Sequence, residues 1–468
     1  MKNANLRPLL NELRLRSRLT RRTGSAGRKR RDWIERGNSV RIRESARSCA
    51  AYLSLNLDRR WEDAKRETES GFIDVIDMFS GCGGMSVGFR AANGLAPIYR
   101  HIMAVDIDEV ANKTYEANIG LKPMNESVAG LRANKSRLRS LIRASGRNEK
   151  RPLVLIGCAP CQGFSSHRNS EGQGDERNSL FVDFARIAAN LRPAAVVIEN
   201  VPELLTTKYW PYVTEAKRIL KASGYSVHLG VYNMADFGVP QERFRAVMLA
   251  LPQPFLPLRG FLNRSQYRSV RTAIGALPKI RAGEICPTDP MHYSAGHQES
   301  TLEVIRAVPK DGGNRPPDVG PPCLVRARER QGRGAYDDVY GRLAWDKPAI
   351  TITAYARNPA SGRFIHPHQD RGLSVREAAL LQGFPKNYVF AGSLDERFRQ
   401  IGNAVPPKFS SYLALYLLGE LLSPIPVSEM QSGILSPVGA SFSRLIPSLK
   451  SGHGSDVLQQ FNASGSIR

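Results

Sequence analysis

Two cysteines in a short loop are the residues of this sequence best suited to chemistry. Cys158 and Cys161 lie in the stretch Gly157–Ser165, directly after the apolar run Leu153–Ile156, which predicts a buried strand. The pair therefore follows the carboxyl end of a strand, where open α/β sheets bind their ligands. Pro160 stiffens the turn in front of Cys161, which makes that cysteine a candidate nucleophile.

The spacing of the two cysteines also allows other interpretations. A C-x-x-C pair can be a thiol redox motif or half of a zinc site. A zinc site needs further ligands, and the other cysteines and histidines supply no second C-x-x-C and no H-x-x-x-H pair, so no metal is expected. A redox or non-catalytic DNA-binding protein that uses Cys158 and Cys161 stays open as an alternative from another class.

Glu199 is a second candidate for catalysis. It follows the apolar run Ala194–Ile198, and a carboxylate in such a position costs free energy unless it is hydrogen-bonded or protonated. It can be a helix cap, or a general acid whose pKa is raised by burial. Because Glu199 and Cys161 both follow strands of one predicted sheet, we expect them to converge on a single crevice.

A strand, turn and helix near residue 72 predict a cofactor site. Phe72–Phe79 has a strand pattern, and the glycine-rich turn Ser80–Gly84 precedes a helical segment. Ser86 stands where the dinucleotide fingerprint has its third glycine, which disfavours a nicotinamide or flavin cofactor and suits a nucleoside without phosphate. A second strand, His101–Val105, ends at Asp106, whose spacing from the turn suits a carboxylate that binds a ribose.

Charge and composition restrict the partners. The formal net charge of +24 favours a polyanionic partner, most simply nucleic acid, although a solvated basic surface gives the same value. The six cysteines follow no disulfide spacing and no secretory signal is present, so we expect a reducing, cytoplasmic setting. No apolar run approaches the roughly 18 residues that a membrane span needs.

Changes in composition divide the chain into five predicted segments. A Pro-, Gly- and Arg-rich insert interrupts the alternation of strands and helices. We expect the alternation to resume at Ile350–Thr353 and the domain to end with a helix over Phe409–Leu421. For the basic extension, a transit peptide, a nucleic-acid-binding arm and a disordered tail all stay open. The segments are the basic extension (1–70), the first part of an α/β domain (71–251), a small separate domain (252–341), the completing part of the α/β domain (342–423) and a flexible tail (424–468).

Eight short stretches, in family order between about residues 72 and 420, resemble the motifs of the DNA (cytosine-5) methyltransferases. The resemblance implies the Rossmann-like fold of an S-adenosylmethionine-dependent methyltransferase, with an inserted target-recognition domain. It also implies methylation of carbon 5 of cytosine in double-stranded DNA. RNA cytosine methylation on the same scaffold stays open, but the insert and the positive charge favour duplex DNA. The stretches are Asp77–Gly84, Asp106–Ile107, Pro160–Gln162, Glu199–Val201, Gln241–Arg245, Arg376–Glu377, Leu381–Pro385 and Gln400–Pro407.

The resemblance implies roles for individual residues. Cys161 would attack carbon 6 of the base, and Glu199 would protonate ring nitrogen 3. Arg243 or Arg245 would donate to the base or a nearby phosphate, and Asn200 would bond to the backbone of the nucleophile loop. The expected cofactor-binding residues are Asp77, Phe79, Ser80, Gly81, Cys82, Gly83, Gly84, Asp106, Ile107, Pro160, Asn403 and Val405. The expected DNA contacts are Gln162, Ser165 and Gln241.

Two positions depart from the family pattern. Leu380 replaces an arginine, which predicts that a structural salt bridge is missing. Ser127 stands where the family has an aspartate that contacts the adenine amino group, so that contact stays open. Cys158 is expected only to pack the strand end. We expect a monomer that acts on double-stranded DNA, and the sequence leaves open whether a cognate restriction endonuclease accompanies it.

Overall fold

The structure, a computed structural model, describes residues 36–65, 71–160, 179–205, 209–331 and 338–423. The predicted flexible tail and the start of the basic extension therefore lie outside the described residues. The chain forms two units. The first comprises Met1–Asn233, Phe244–Phe261 and Pro407–Arg468, and the second comprises Met234–Arg243 and Leu262–Pro406.

The elements follow one another in this order. The first unit begins with α1 (Arg36–Leu55), α2 (Leu57–Lys65), β1 (Ile73–Met78), α3 (Gly84–Ala91), β2 (Tyr99–Val105), α4 (Glu109–Ile119), α5 (Val128–Ala133), α6 (Lys135–Ala144), β3 (Leu153–Cys158), α7 (Ser179–Leu191), β4 (Ala195–Asn200), α8 (Trp210–Ala222), β5 (Ser226–Asn233) and β6 (Phe244–Leu251). The second unit contains α9 (Val270–Ile274), β7 (Ile285–Cys286), β8 (Asp289–Tyr293), α10 (Glu299–Ala307), α11 (Pro322–Gln331), α12 (Val375–Gln382) and α13 (Leu394–Asn403). The chain then returns to the first unit in α14 (Pro407–Leu422).

A six-stranded sheet with the order β2-β1-β3-β4-β6-β5 forms the centre of the first unit. β1 runs parallel to β2 and β3, and β3 runs parallel to β4, whereas β6 is antiparallel to β4 and β5. Every residue of β1 and β4 is buried, as expected for apolar strands covered by helices on both faces. This sheet confirms the predicted α/β, Rossmann-like fold class.

Part of the predicted basic extension is folded, so the interpretation of the whole of 1–70 as a disordered tail is wrong for 36–65. Apolar residues recur at helical spacing in α1 and α2 and are buried, although arginines between them hide the period. Gly419 of α14 admits α1 closely, because a Cβ there would lie 2.6 Å from the Cβ of Ala46. Arg43 donates from Nη1 to the carbonyl oxygen of Ser423 at 2.7 Å. The buried residues are Ile42, Ala46, Cys49, Ala50, Leu53, Leu57, Trp61 and Ala64.

The second unit is larger than the predicted insert at 252–341. It includes Gln241–Arg243, and the amide of Glu242 donates to the carbonyl oxygen of Ala349 at 2.9 Å. Ile350–Thr353, expected to restart the alternation of strands and helices, instead forms neither a helix nor a strand and lies outside the six-stranded sheet. The expectation was wrong because the backbone next to this segment pairs with 241–242 rather than with a strand of the sheet.

Helix α12, which carries Leu380, is held by two ion pairs that the sequence did not predict. Arg371 lies with Nη2 2.7 Å from Oε1 of Glu377, and both side chains are buried. Arg376 pairs through Nε with Oδ2 of Asp289 at 2.6 Å. The replacement of an arginine by Leu380 therefore leaves this helix anchored by charged pairs from other positions.

Candidate active site

The carboxyl ends of β1, β3 and β4 lie side by side in the sheet. The strand register pairs Met78 with Gly157, and Cys158 with Glu199. The glycine turn that follows β1, the loop that follows β3 and the acid on β4 therefore meet at one edge. This is the edge at which open α/β sheets bind ligands.

The predicted nucleophile itself lies beyond the described residues. Cys161, Gln162 and Ser165 belong to residues 161–178, which are outside the described residues. Their roles stay predictions. The structure places the strand end and the first turn residues that lead into Cys161.

Glu199 is buried with a partner on each carboxyl oxygen. Its side chain is 3% exposed, Nε of Arg245 lies 3.1 Å from Oε1, and Sγ of Cys158 donates to Oε2 at 2.7 Å. These partners supply what a buried carboxylate requires. Both belong to neighbouring strands rather than to a helix start, which disfavours the helix-cap interpretation of Glu199.

Asn200 fixes the start of the loop that follows β3. Its Nδ2 donates to the carbonyl oxygen of Ala159 at 3.2 Å, and its Oδ1 accepts from the amide of Val201 at 2.8 Å. Asn200 is buried, so both contacts satisfy polar atoms that water does not reach. The bond to Ala159 is of the kind predicted for Asn200.

Gln241 has its partners inside the second unit. It is fully buried, and its Nε2 donates to the carbonyl oxygen of Leu381 at 3.0 Å and to Oε1 of Gln382 at 2.8 Å. Its Oε1 accepts from the amide of Ile352 at 2.8 Å. This arrangement gives no support to the predicted DNA contact and makes Gln241 a structural tie.

Arg243 and Arg245 have different surroundings, although the sequence analysis predicted the same role for both. Arg243 is 1% exposed and donates to the carbonyl oxygens of Ile352 at 2.9 Å and Gly402 at 2.8 Å, all within the second unit. Arg245 belongs to the first unit and reaches Glu199. The guanidinium of Arg243 thus holds backbone segments together, and Arg245 is the arginine at the acid.

The turn after β1 has the features of a ligand cradle. Phe79, Gly81 and Gly83 all have positive φ angles, of 61°, 50° and 91°. The Oγ of Ser80 is buried and has no hydrogen-bond partner in the described part of the chain. A Cβ at Gly81 would meet no atom within 4 Å, so the turn borders open space. Cys82 is buried, which raises its pKa to about 12 and keeps the thiol neutral.

Asp77 lies beneath this turn rather than facing it. It is 1% exposed, and Ser86 donates to its Oδ2 at 2.5 Å while Tyr115 donates to Ser86 at 2.9 Å. Burial raises the pKa of Asp77 to about 7, and the bond from Ser86 counters part of that rise. Ser86, noted in the sequence only as a missing glycine, thus ties α3 to β1, and Asp77 supports the turn from below.

Asp106 links the glycine turn to the end of β2. Its Oδ2 accepts from the amide of Gly81 at 2.8 Å and its Oδ1 from the amide of Asp108 at 2.9 Å. Burial raises the pKa of Asp106 above its ordinary value. Ile107, next to it, is 69% exposed, an unusual exposure for a large apolar side chain. A carboxylate and an open apolar surface thus lie together at the turn.

Asn403, Val405 and Ser127 are the remaining positions at which a cofactor contact was in question. Asn403 is exposed at the end of α13 and Val405 is buried, both in the second unit, so their contribution to a cofactor pocket stays a prediction. Ser127 caps α5 by accepting from the amide of Gly130 at 3.5 Å.

The described residues form neither a metal-binding cluster nor a membrane-spanning helix. No group of three or more His, Cys, Asp or Glu side chains there is arranged to hold a metal ion. No helix in that part of the chain combines the length and the apolar composition that crossing a bilayer would require.

Comparison with known proteins adds independent findings. A family model described as C-5 cytosine-specific DNA methylase matches residues 73–417. The Type II methylase M.HgiDII of Herpetosiphon aurantiacus is 32% identical over 346 residues, which cover 73% of this chain and 93% of that protein. The Type II methyltransferase M1.HphI of Haemophilus parahaemolyticus is 32% identical over 354 residues, covering 73% and 86%. A solved E. coli structure described as a prophage-encoded DNA modification methyltransferase shares the fold, with a TM-score of 0.57 at 22% identity over 74% of this chain and 98% of that one.

Proposed function

Because this chain belongs to the family of C-5 cytosine-specific DNA methylases, we propose how it acts on its substrate. It transfers a methyl group from S-adenosylmethionine to carbon 5 of cytosine in a specific sequence of double-stranded DNA. The transfer proceeds through a covalent bond between Cys161 and carbon 6 of a flipped-out base.

One observation carries the proposal. Glu199 is buried, is paired with Arg245, and lies opposite Cys158 in the sheet. Cys158 precedes Cys161 by three residues in the chain. An acid held at this strand end supports the proposal, because a base attacked by Cys161 would lie near that acid. General acid catalysis requires that proximity between the acid and the atom that receives the proton.

The residues have defined tasks in the reaction. Glu199 first takes up a proton from solvent. The thiolate of Cys161 then forms a bond to carbon 6 while Glu199 gives that proton to ring nitrogen 3, which makes carbon 5 nucleophilic. Carbon 5 takes the methyl group that the sulfonium of the cofactor supplies. A base then removes the proton on carbon 5, the bond between Cys161 and carbon 6 breaks, and the proton on nitrogen 3 returns to Glu199. Arg245 keeps the carboxyl of Glu199 in place throughout.

The cradle after β1 fits the proposed cofactor. Ser80 offers a buried hydroxyl that has no partner in the described residues, and Asp106 offers two carboxyl oxygens with further lone pairs for ribose hydroxyls. Ile107 offers an exposed apolar face for adenine. The turn keeps its positive-φ glycines but lacks the third glycine that would bring a helix under a pyrophosphate, which suits a nucleoside without phosphate.

The substrate is proposed to be duplex DNA, whose cytosine must leave the stack to be attacked. Methyl transfer to a cytosine-containing duplex and to a structured RNA of matched sequence, measured side by side, tests this. We expect transfer to the duplex and at most a trace to the RNA. The opposite preference would favour RNA cytosine methylation, and transfer to neither would contradict the enzymatic function.

The relatives support two further parts of the proposal. Because M.HgiDII and M1.HphI are named as Type II enzymes, we propose that this enzyme also modifies a defined site that a cognate restriction endonuclease would cut. Their bacterial sources support a cytoplasmic, nucleoid-associated enzyme. We propose that it acts as a monomer. Bisulfite sequencing of DNA from an expressing host would reveal the modified site.

A further inference from the structure

Cys158 has a polar partner that its sequence gave no reason to expect. Its Sγ lies 2.7 Å from Oε2 of Glu199 and donates a hydrogen bond to it. The two residues are direct neighbours in the parallel register of β3 and β4. The backbone ladder between the strands therefore fixes this contact, which does not depend on the conformation of a loop.

Arg245 holds the other oxygen of the same carboxyl group. Its Nε lies 3.1 Å from Oε1 of Glu199, and it reaches there from β6, which pairs with β4 on the side opposite β3. The terminal torsion of glutamate is broad, so a single partner leaves the carboxyl plane free to turn. Partners on two flanking strands, one to each oxygen, fix that plane.

We propose that Cys158 is a positioning residue that orients the carboxyl group of Glu199 for proton transfer to ring nitrogen 3 of cytosine. The inference rests on the function proposed above, in which Glu199 is the acid and Cys161 the nucleophile. Proton transfer requires the acid to point at the receiving atom as well as to lie near it. The two cysteines of the C-x-x-C stretch thus serve one reaction, Cys161 by bonding to the base and Cys158 by orienting the acid.

A thiol suits this task because it can follow the proton. The sulfur is both a weak donor and a weak acceptor, so it can donate to the carboxylate and accept from the carboxylic acid. Serine keeps both abilities at the same position, whereas alanine keeps neither. The pair Cys158→Ser and Cys158→Ala therefore separates the hydrogen bond from the space that the side chain fills.

The test is the single-turnover rate of covalent adduct formation on a 5-fluorocytosine duplex with S-adenosylmethionine. We expect Cys158→Ala to form the adduct roughly 10- to 100-fold more slowly, the range for loss of one hydrogen bond to a charged group. Cys158→Ser should recover most of that loss. DNA affinity, cofactor affinity and thermal midpoint should change little, which a merely structural role of Cys158 would not allow.

The same measurement in a Glu199→Gln background shows whether the substitution at Cys158 slows adduct formation through Glu199. If Cys158 acts through Glu199, Cys158→Ala slows the Glu199→Gln variant no further. An additive loss, a wild-type rate for Cys158→Ala, or a Cys158→Ser variant as slow as Cys158→Ala would each overturn the inference and leave the proposed function standing. Wild-type enzyme that forms no adduct would instead refute the proposed function, and the inference with it.

Discussion

Arg245 and Glu199 form a buried ion pair, with Nε of the arginine 3.1 Å from Oε1 of the acid. The neighbouring Arg243 is buried as well, yet its guanidinium bonds to backbone carbonyl oxygens. Two arginines separated by one residue thus have different partners. Arg245 pairs with the carboxyl group of Glu199, and Arg243 bonds to backbone segments of the second unit.

Matched lysine substitutions should separate these roles, because lysine keeps the charge but loses the planar fork of donors. Arg245→Lys should lower kcat by about 100-fold, near the upper end for loss of a hydrogen bond to a charged group, because the carboxyl group of Glu199 is no longer held in place. The thermal midpoint should change little. Arg243→Lys should lower the free energy of unfolding by about 3 kcal/mol, since buried carbonyl groups lose their partners. Its kcat should fall less than that of Arg245→Lys. Steady-state methyl transfer and calorimetry measure both, and the reverse pattern would refute the assignment.

The N-terminal helices should behave as part of the first unit, although the family model begins only at residue 73. Trp61 is fully buried, so Trp61→Ala should lower the free energy of unfolding by about 3–5 kcal/mol. Arg59, on the same helix, is exposed, and Arg59→Ala should change it by less than about 0.5 kcal/mol. Denaturant unfolding of the full chain makes the comparison. Equal, small effects of the two substitutions would mean that these helices do not contribute to folding.

Glu420 of α14 should make stability depend on pH. Burial raises its pKa from 4.5 to about 7, although Arg47, with Nη2 3.7 Å from Oε1, lowers it in part. The folded state therefore holds a proton that the unfolded chain releases, and stability falls as pH rises from about 5 to about 7. Glu420→Gln removes this loss, so the stability of the variant relative to wild type should rise across that window, by at most about 3 kcal/mol.

The variant must be compared with wild type at each pH. The pKa of buried His101 is lowered to about 3, which makes stability rise with pH up to about 6.5 and opposes the effect of Glu420. Chemical unfolding at pH 5, 6, 7 and 8 gives the difference. A difference that stays constant with pH would show that Glu420 titrates normally.

Much of the fold was predictable from short apolar runs. Leu153–Ile156 and Ala194–Ile198 correspond to β3 and β4, and the helix expected over Phe409–Leu421 is α14 with one or two residues added at its ends. The helices over 36–65 were not predicted, because the arginine-rich composition of this segment concealed a regular spacing of apolar residues. Ile350–Thr353 was also misplaced, since β-branched residues favour extended backbone without specifying which strand will pair with it.

Prediction of the site was limited by tertiary contacts. Glycine, cysteine and acidic residues at strand ends can be recognised from the local sequence. The turns and the register of the sheet then bring these residues together at one edge. Nothing local distinguishes Arg243 from Arg245, because the difference arises from partners far along the chain, such as Gly402 and Glu199. The link from Ser86 to Asp77 was hidden for the same reason.

Covalent trapping tests the central claim most directly. Wild-type enzyme incubated with S-adenosylmethionine and a duplex carrying 5-fluorocytosine should form a stable adduct, and peptide mapping should find the modified base on Cys161. Cys161→Ser should form none, whereas a control at the exposed Cys323, Cys323→Ser, should trap as wild type does and Cys158→Ser should still form adduct. An adduct on another residue, or trapping undiminished in Cys161→Ser, would contradict the proposed mechanism.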